Sequence, residues 1–279
     1  MKIFGTRISL VGDIIMSLPV LQKLCEIVKD PYVYFSIAQK SQQAAPLFKN
    51  HPLIQEIKIT DKFEDLGEED HKIMAQCDIV LPVRPPPPDQ FDWYNYRNLI
   101  QETTRMAGFN PCFTEGVMPI LYFNRDIPTV SSKTIAIWPF AGYAQGLSRS
   151  PSLEWWKSIF NRLSDEGFNI LHCGVDAEPA IGEGKNYHRI TNLEFIDQIY
   201  YSLGCCGAIG TDSGSMWVLA AYHKIPQINL ITNWLPNHYQ NLLALAPVGK
   251  KVHNLYADNG CSNININTVL ENIYENFCV

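Results

Sequence analysis

The chain has 279 residues, long enough for two ordinary domains and too long for a small disulfide-stapled one. With 46% hydrophobic and 18% charged residues it reads as soluble and globular rather than disordered. The formal net charge is −6, and dividing the chain at residue 130 leaves −3 on each side, so neither half carries the basic surface that a nucleic-acid backbone requires.

In chain order, residues 2–10 read as a strand that runs into a helix. The apolar positions Ile14, Leu18, Leu21, Cys25 and Val28 recur at steps of four and three, which gives that helix one buried face. Pro19 removes a backbone donor and is expected to kink it. Further strands are expected at 32–37, 54–59, 78–83 and 118–123. The acidic stretch 61–70 reads as a solvated loop. After the fourth strand, "RPPPPDQFDWYNYRN" holds four successive prolines that stiffen it, followed by Trp93, Tyr94 and Tyr96, which either anchor the loop or stack on a sugar. Residues 124–133 are polar and without period, as a linker between domains would be.

The alternation then restarts. A strand at 134–140 precedes a helix at 151–166, with Ser150 as its N-cap, Pro151 at its first position, Gly167 past its end, and Leu153, Trp156, Phe160 and Leu163 on its buried face. A strand at 169–173, a helix at 193–203, a strand ending at 208–210, a helix at 213–223, a strand at 227–231 and a last amphipathic helix at 266–277 complete the reading. Strand–helix alternation twice over predicts an α/β protein with two parallel sheets, one in residues 1–126 and one in 134–279. Ligands in such folds bind at the carboxyl ends of the strands, so the expected site is a cleft between the two domains.

The eight cysteines contain no C-x-x-C, and the seven histidines are dispersed, so no metal is expected and the thiols read as buried and reduced. His223 is read as structural. The chain opens on a strand rather than on a basic segment with an apolar core, and no apolar run approaches the ~20 residues of a membrane helix. A cytoplasmic location follows as an expectation, with peripheral membrane contact left open.

Three strand-to-helix joints carry the chemistry. In "RISLVGDIIMSLPVLQKL", Gly12 permits a tight turn and Asp13 falls at the positive end of a helix dipole. There it either caps its own helix or faces a ligand as a base. In "GTDSGSMW", Asp212, Ser213 and Gly214 open a helix, and the unpaired N–H groups of such a start suit a diphosphate. The spacing around Ser213 excludes a nucleophile elbow, and the stretch is not a P-loop. In "IWPFAGYAQGLSRSPSLEWW", Gly142 and Gly146 make a loop, and Arg149 either holds a phosphate or is a solvated surface arginine.

These joints, in this order and with "HPLIQEI" between the first and the others, resemble glycosyltransferase family 9, the ADP-heptose:lipopolysaccharide heptosyltransferases and their relatives. The resemblance covers nearly the whole chain. It implies a GT-B fold with the acceptor on the first domain and a nucleoside diphosphate sugar on the second, and inversion at the sugar carbon without a metal or other cofactor. It implies Asp13 as general base beside Gly12. It also implies Gly142, Arg149, Asp212, Ser213 and Gly214 around the donor, and Glu178 near its ribose. Trp93 and Tyr94 are candidates for the acceptor, a carbohydrate or glycolipid hydroxyl in surface glycan or lipopolysaccharide synthesis.

Several positions depart from the family pattern. Trp217 replaces a histidine, Phe140 replaces a glycine and adds bulk near the expected donor pocket, and Arg149 stands in place of a lysine. Two other readings therefore stand beside the transferase: a nucleotide-sugar epimerase on the same fold, and a family member that binds nucleotide-sugar without turnover.

Overall fold

The computed structural model describes residues 1–6, 10–60, 67–81, 99–141, 149–232, 246–258 and 260–277. It divides into two compact units, Met1–Asn124 and Arg125–Val279.

The first unit holds a four-stranded sheet in the order β3-β2-β1-β4. Its strands are β1 (Lys2–Thr6), β2 (Tyr32–Ala38), β3 (Glu56–Thr60) and β4 (Ile79–Val80), and every pairing is parallel. Helix α1 (Val11–Ile27) crosses from β1 to β2 and runs through Pro19. Its burial is wider than the single stripe read from the sequence. Ile14, Ile15, Met16, Leu18, Val20, Leu21 and Leu24 are all buried, whereas Cys25 is half-buried and Val28 lies at the C-cap. A helix enclosed on most sides in this way belongs to the core rather than to the surface.

Two expectations fail here. Residues 118–123 form no strand. Instead the Gln22 side chain takes the place of a partner strand, its amide donating to the Met118 carbonyl at 3.0 Å while its oxygen accepts the Ile120 N–H at 3.0 Å. The acidic stretch is also not a loop throughout, because helix α2 (Glu68–Met74) begins inside it. Glu68, Glu69 and Asp70 occupy its first turn, where the dipole favours carboxylates. Asp70 is buried and accepts from the Gly67 N–H at 3.0 Å and the Ser36 hydroxyl at 3.1 Å. Helix α3 (Leu99–Met106) completes the α-helices described for this unit, beside 3-10 helices at Gln39–Phe48 and Pro111–Thr114.

The second unit begins with the segment expected to link domains. Arg125 pairs with Asp197 at 2.7 Å and lies 4.4 Å over the Tyr200 ring, so the segment packs on this unit. Six parallel strands follow: β5 (Thr134–Trp138), β6 (Asn169–His172), β7 (Tyr187–Arg189), β8 (Gly207–Thr211), β9 (Gln227–Thr232) and β10 (Val252–Ala257). Their order is β10-β9-β8-β5-β6-β7. Counted from the unit's own first strand this is 3-2-1-4-5-6, the doubly wound order of a dinucleotide-binding domain, with its switch point between β5 and β8. Short β7 and half-buried β10 carry no long apolar run, which hides them in the sequence.

Helix α4 (Leu153–Asp165) buries Trp156, Phe160 and Leu163 against Ile135, Ile137 and Ile170 of the sheet, together with α7 (Ile266–Asn276). The N-cap of α4 is Ser152, not Ser150. The Ser152 hydroxyl accepts the Trp155 N–H at 3.2 Å, while the Ser150 hydroxyl is committed to the Ala141 N–H at 2.8 Å. Helices α5 (Phe195–Leu203) and α6 (Gly214–Tyr222) are also described, and α6 is buried from Met216 to Tyr222. His223 ends α6 in the left-handed conformation, φ 52°.

Candidate active site

In the first unit, β1 leads to α1 at the switch point of its sheet, where the order reverses between β1 and β4. Gly12 is buried in the first turn of α1. Asp13 follows at the third position of the helix, and its Oδ2 accepts the N–H of the N-cap residue Leu10 at 3.3 Å. The capping role is therefore real. It is also compatible with basic chemistry, since the positive end of the helix favours a charged carboxylate. Trp93 and Tyr94 lie outside the described residues, as does Gly142.

In the second unit, two loops flank the switch point. The connection from β5 to α4 carries Arg149, and the connection from β8 to α6 carries Asp212 and Ser213, with Gly214 as the first residue of α6. The structure joins the two loops directly. The Arg149 Nη2 donates to the Asp212 main-chain oxygen at 2.9 Å and to its Oδ2 at 2.8 Å. The side chains are only 14% and 10% exposed, so this is a part-buried, charge-assisted contact rather than a surface pair. Arg149 is not the solvated surface arginine that its sequence position also allowed.

Behind the pair, buried Cys261 donates its thiol to the Arg149 carbonyl at 3.2 Å. Burial pushes that thiol up to about 12, with the Asp212 charge adding to the rise and Arg149 opposing it, so it remains a thiol. Ser213 is the N-cap of α6, and its hydroxyl makes no capping bond to the helix. The first N–H groups of any helix have no partner within it, and here they follow directly after Asp212, the residue that accepts from the Arg149 guanidinium. Gly210 lets β8 run close under this turn, since a Cβ there would lie 2.6 Å from the Met216 sulfur and 3.0 Å from the Trp138 Cβ.

Two departures from the family pattern are absorbed by packing. Trp217 is 2% exposed and sits inside the unit. Phe140 is half-buried and packs against the core that holds Trp156 and Phe160.

Glu178 lies in the loop after β6, the second strand of the unit's order. It is buried, turned inward beneath Gly174, and its Oε2 comes within 3.7 Å of the Nε2 of fully buried His172. The His172 Nδ1 is 2.5 Å from the Tyr187 Oη, which also accepts the Ile181 N–H at 3.2 Å. Arg189 ties the loop down by donating to the Glu178 and Asp176 carbonyls, each at 2.7 Å. The Gln198 amide grips the Gly174 backbone on both sides, at 2.7 and 3.0 Å. Sequence reasoning missed His172, Tyr187 and Gln198. The available signal was that His172 ends a strand at the carboxyl edge of the sheet. Among the described residues, no three His, Cys, Asp or Glu side chains group as a metal site would require.

No family profile matches the chain, and no curated protein matches it by sequence. Solved structures do match. The glycosyl transferase family 9 protein from Veillonella parvula superposes with a TM-score of 0.77 at 15% identity, over 98% of this chain and 96% of that one. The ADP-heptose lps heptosyltransferase II of E. coli gives 0.71 at 15% identity, over 99% and 98%. A putative UDP-N-acetylglucosamine 2-epimerase from Listeria monocytogenes gives 0.54 at 12% identity, over 98% and 87%. The resemblance carried by the sequence motifs is thus matched by the backbone, and the fold is GT-B, built from two Rossmann-like units.

Proposed function

We propose that the protein is an inverting glycosyltransferase that moves a sugar from a nucleoside diphosphate to an acceptor hydroxyl. The observation that carries this reading is the Arg149–Asp212 contact, which fastens together the two loops flanking the switch point, beside the N-terminus of α6. A diphosphate leaving group gains negative charge as its bond to the sugar breaks, and a guanidinium beside a helix start stabilises that charge. No metal is needed for this step in the proposed mechanism. Ser213 and Gly214 line the phosphate side together with Gly142, and Glu178 serves the ribose.

Asp13 is the proposed base. Its carboxylate takes the proton of the acceptor hydroxyl, the oxygen attacks the anomeric carbon, and the electron pair of the broken bond leaves with the nucleoside diphosphate. Gly12, Trp93 and Tyr94 belong to the acceptor side. The −3 balance of that half favours a less anionic acceptor than a phosphorylated lipid core. A carbohydrate or glycolipid of the cell surface, glycosylated in the cytoplasm, fits this chemistry, and an ADP-linked heptose is one candidate donor.

The test has two stages. ADP, GDP, UDP, CDP and dTDP are added with and without magnesium, and one of them is expected to stabilise the protein by roughly 2.7 kcal/mol at ~100 times its dissociation constant, without magnesium. The matching nucleotide-sugar is then incubated with acceptor mixtures. Asp13→Asn keeps an oxygen for the Leu10 N–H, so it should fold and bind nucleotide, yet lose at least ~100-fold in nucleoside diphosphate release. Wild-type turnover in that variant would sink the assignment. The epimerase-like structure supports a second reading, and interconversion of the donor sugar with no acceptor present would favour it.

A further inference from the structure

The Tyr187–His172–Glu178 chain is more elaborate than a loop anchor requires. Glu178 Oε2 and His172 Nε2 are both buried, and neither has a hydrogen-bond partner among the described residues. A buried carboxylate oxygen without a donor is costly, so the position must be held by something else. Gly174 allows it sterically. At its φ of +146°, which a side chain rarely adopts, a Cβ would lie 2.0 Å from Glu178 Oε2. Any other residue at 174 would push the carboxylate away from the histidine.

Hydrogen-bond bookkeeping favours one tautomer of the ring. Tyr187 Oη accepts the Ile181 N–H and has one proton of its own to give, and His172 Nδ1 sits 2.5 Å away to receive it. Burial raises the Tyr187 phenol above its ordinary value, partly offset by the Ile181 N–H and by the charge of Arg189, so it remains a donor. With Nδ1 accepting, the ring proton lies on Nε2, facing Glu178. The opposite tautomer would aim a lone pair at the carboxylate, 3.7 Å away.

We propose that Tyr187 and His172 are positioning residues that hold Glu178 for recognition of the donor's ribose hydroxyls. The proposal rests on the donor-site reading above. An acidic residue following the second strand is where a doubly wound domain contacts a ribose, and His172 ends that strand. His172 turns its Nε2 toward Oε2 and Arg189 holds the Glu178 backbone, so the carboxylate is preorganised before ligand arrives and loses little freedom on binding.

The test uses the full chain and two readouts. The first is affinity for ADP, GDP, UDP and CDP, each against its 2′-deoxy counterpart. Wild type is expected to prefer the ribose form roughly tenfold or more. Tyr187→Phe and His172→Leu should lose most of that preference by weakening ribonucleotide binding alone, and His172→Gln, which keeps a donor near Glu178, should retain part of it. The second readout is the 15N spectrum of the wild-type histidines, which decides the matter even where a variant does not fold: a protonated Nε2 at His172 is expected. A bare Nε2 overturns the proposal. So does an unchanged ribose preference in folded Tyr187→Phe and His172→Leu, or none in wild type. If no nucleotide binds the wild type, the donor-site reading falls and takes the ribose role with it. Binding with unchanged preference removes the positioning role alone.

Discussion

Arg149 is the residue whose removal should be felt twice. Its guanidinium satisfies Asp212 at both the main chain and the carboxylate, and Asp212 is 7% exposed. Arg149→Ala removes both of these contacts from a buried carboxylate, and losing hydrogen bonds to a charged group should cost about 1.5–3 kcal/mol. In the proposed donor site the same substitution removes a charge-assisted contact to phosphate, so nucleoside diphosphate affinity should fall about ten- to a hundredfold. Arg149→Lys should recover part of the affinity and less of the stability, because an ammonium cannot span two oxygens as a guanidinium does. Chemical unfolding and calorimetric titration of the two variants separate these effects; an unaltered affinity in Arg149→Ala would remove it from the donor side. At this scale the sequence was partly readable. It identified Arg149 and Asp212 as candidates because each borders a strand-to-helix joint. It could not reveal that they bind each other, since 63 residues separate them. The inward turn of Glu178 depends on Gly174 and on Tyr187 from a different strand, and neither announces itself in the local pattern.

Among the elements, α4 shows how closely sequence and structure agree and where they part. The helix was legible because Trp156, Phe160 and Leu163 recur at its period and Gly167 ends it. Its start was not, since both serines flanking Pro151 are competent caps and only the fold assigns Ser150 to Ala141. Ser152→Ala should therefore cost about 1 kcal/mol through the lost cap. Ser150→Ala should act differently, by removing the acceptor of the Ala141 N–H at the edge of the proposed donor loop and so weakening nucleotide binding. Thermal unfolding with and without ligand distinguishes the two. Elements held by side chains were harder to foresee. Residues 118–123 have the apolar character of a strand, but the Gln22 amide and His51, rather than a neighbouring ladder, meet the backbone at Met118 and Ile120.

At the scale of the whole molecule, repeated strand–helix alternation was enough to read two α/β domains, because a helical crossover between parallel strands writes its period twice into the chain. The boundary was less legible, since the contacts of Arg125 with Asp197 and Tyr200 are invisible in a polar, aperiodic stretch. A fragment of residues 125–279, with its own six-stranded sheet and core, is expected to unfold cooperatively and to bind the same nucleoside diphosphate as the full chain. A fragment beginning at 134 should bind it too, about 1 kcal/mol less stable for want of the Arg125 stacking. Failure of the longer fragment to bind would show that the donor side is incomplete without the first unit. The parallel sheet also governs how the protein comes into being. Strand β5 is flanked by β6 and β8, and Ile135 pairs with Gly207, 72 residues further along. At ribosomal speeds of roughly 5–20 residues per second, that edge of β5 waits about 4–14 s for its partner. Throughout that interval the nascent chain presents Ile135 and Ile137 beside an open ladder, so the yield of native protein is expected to depend on the pace of synthesis as well as on the stability of the finished fold.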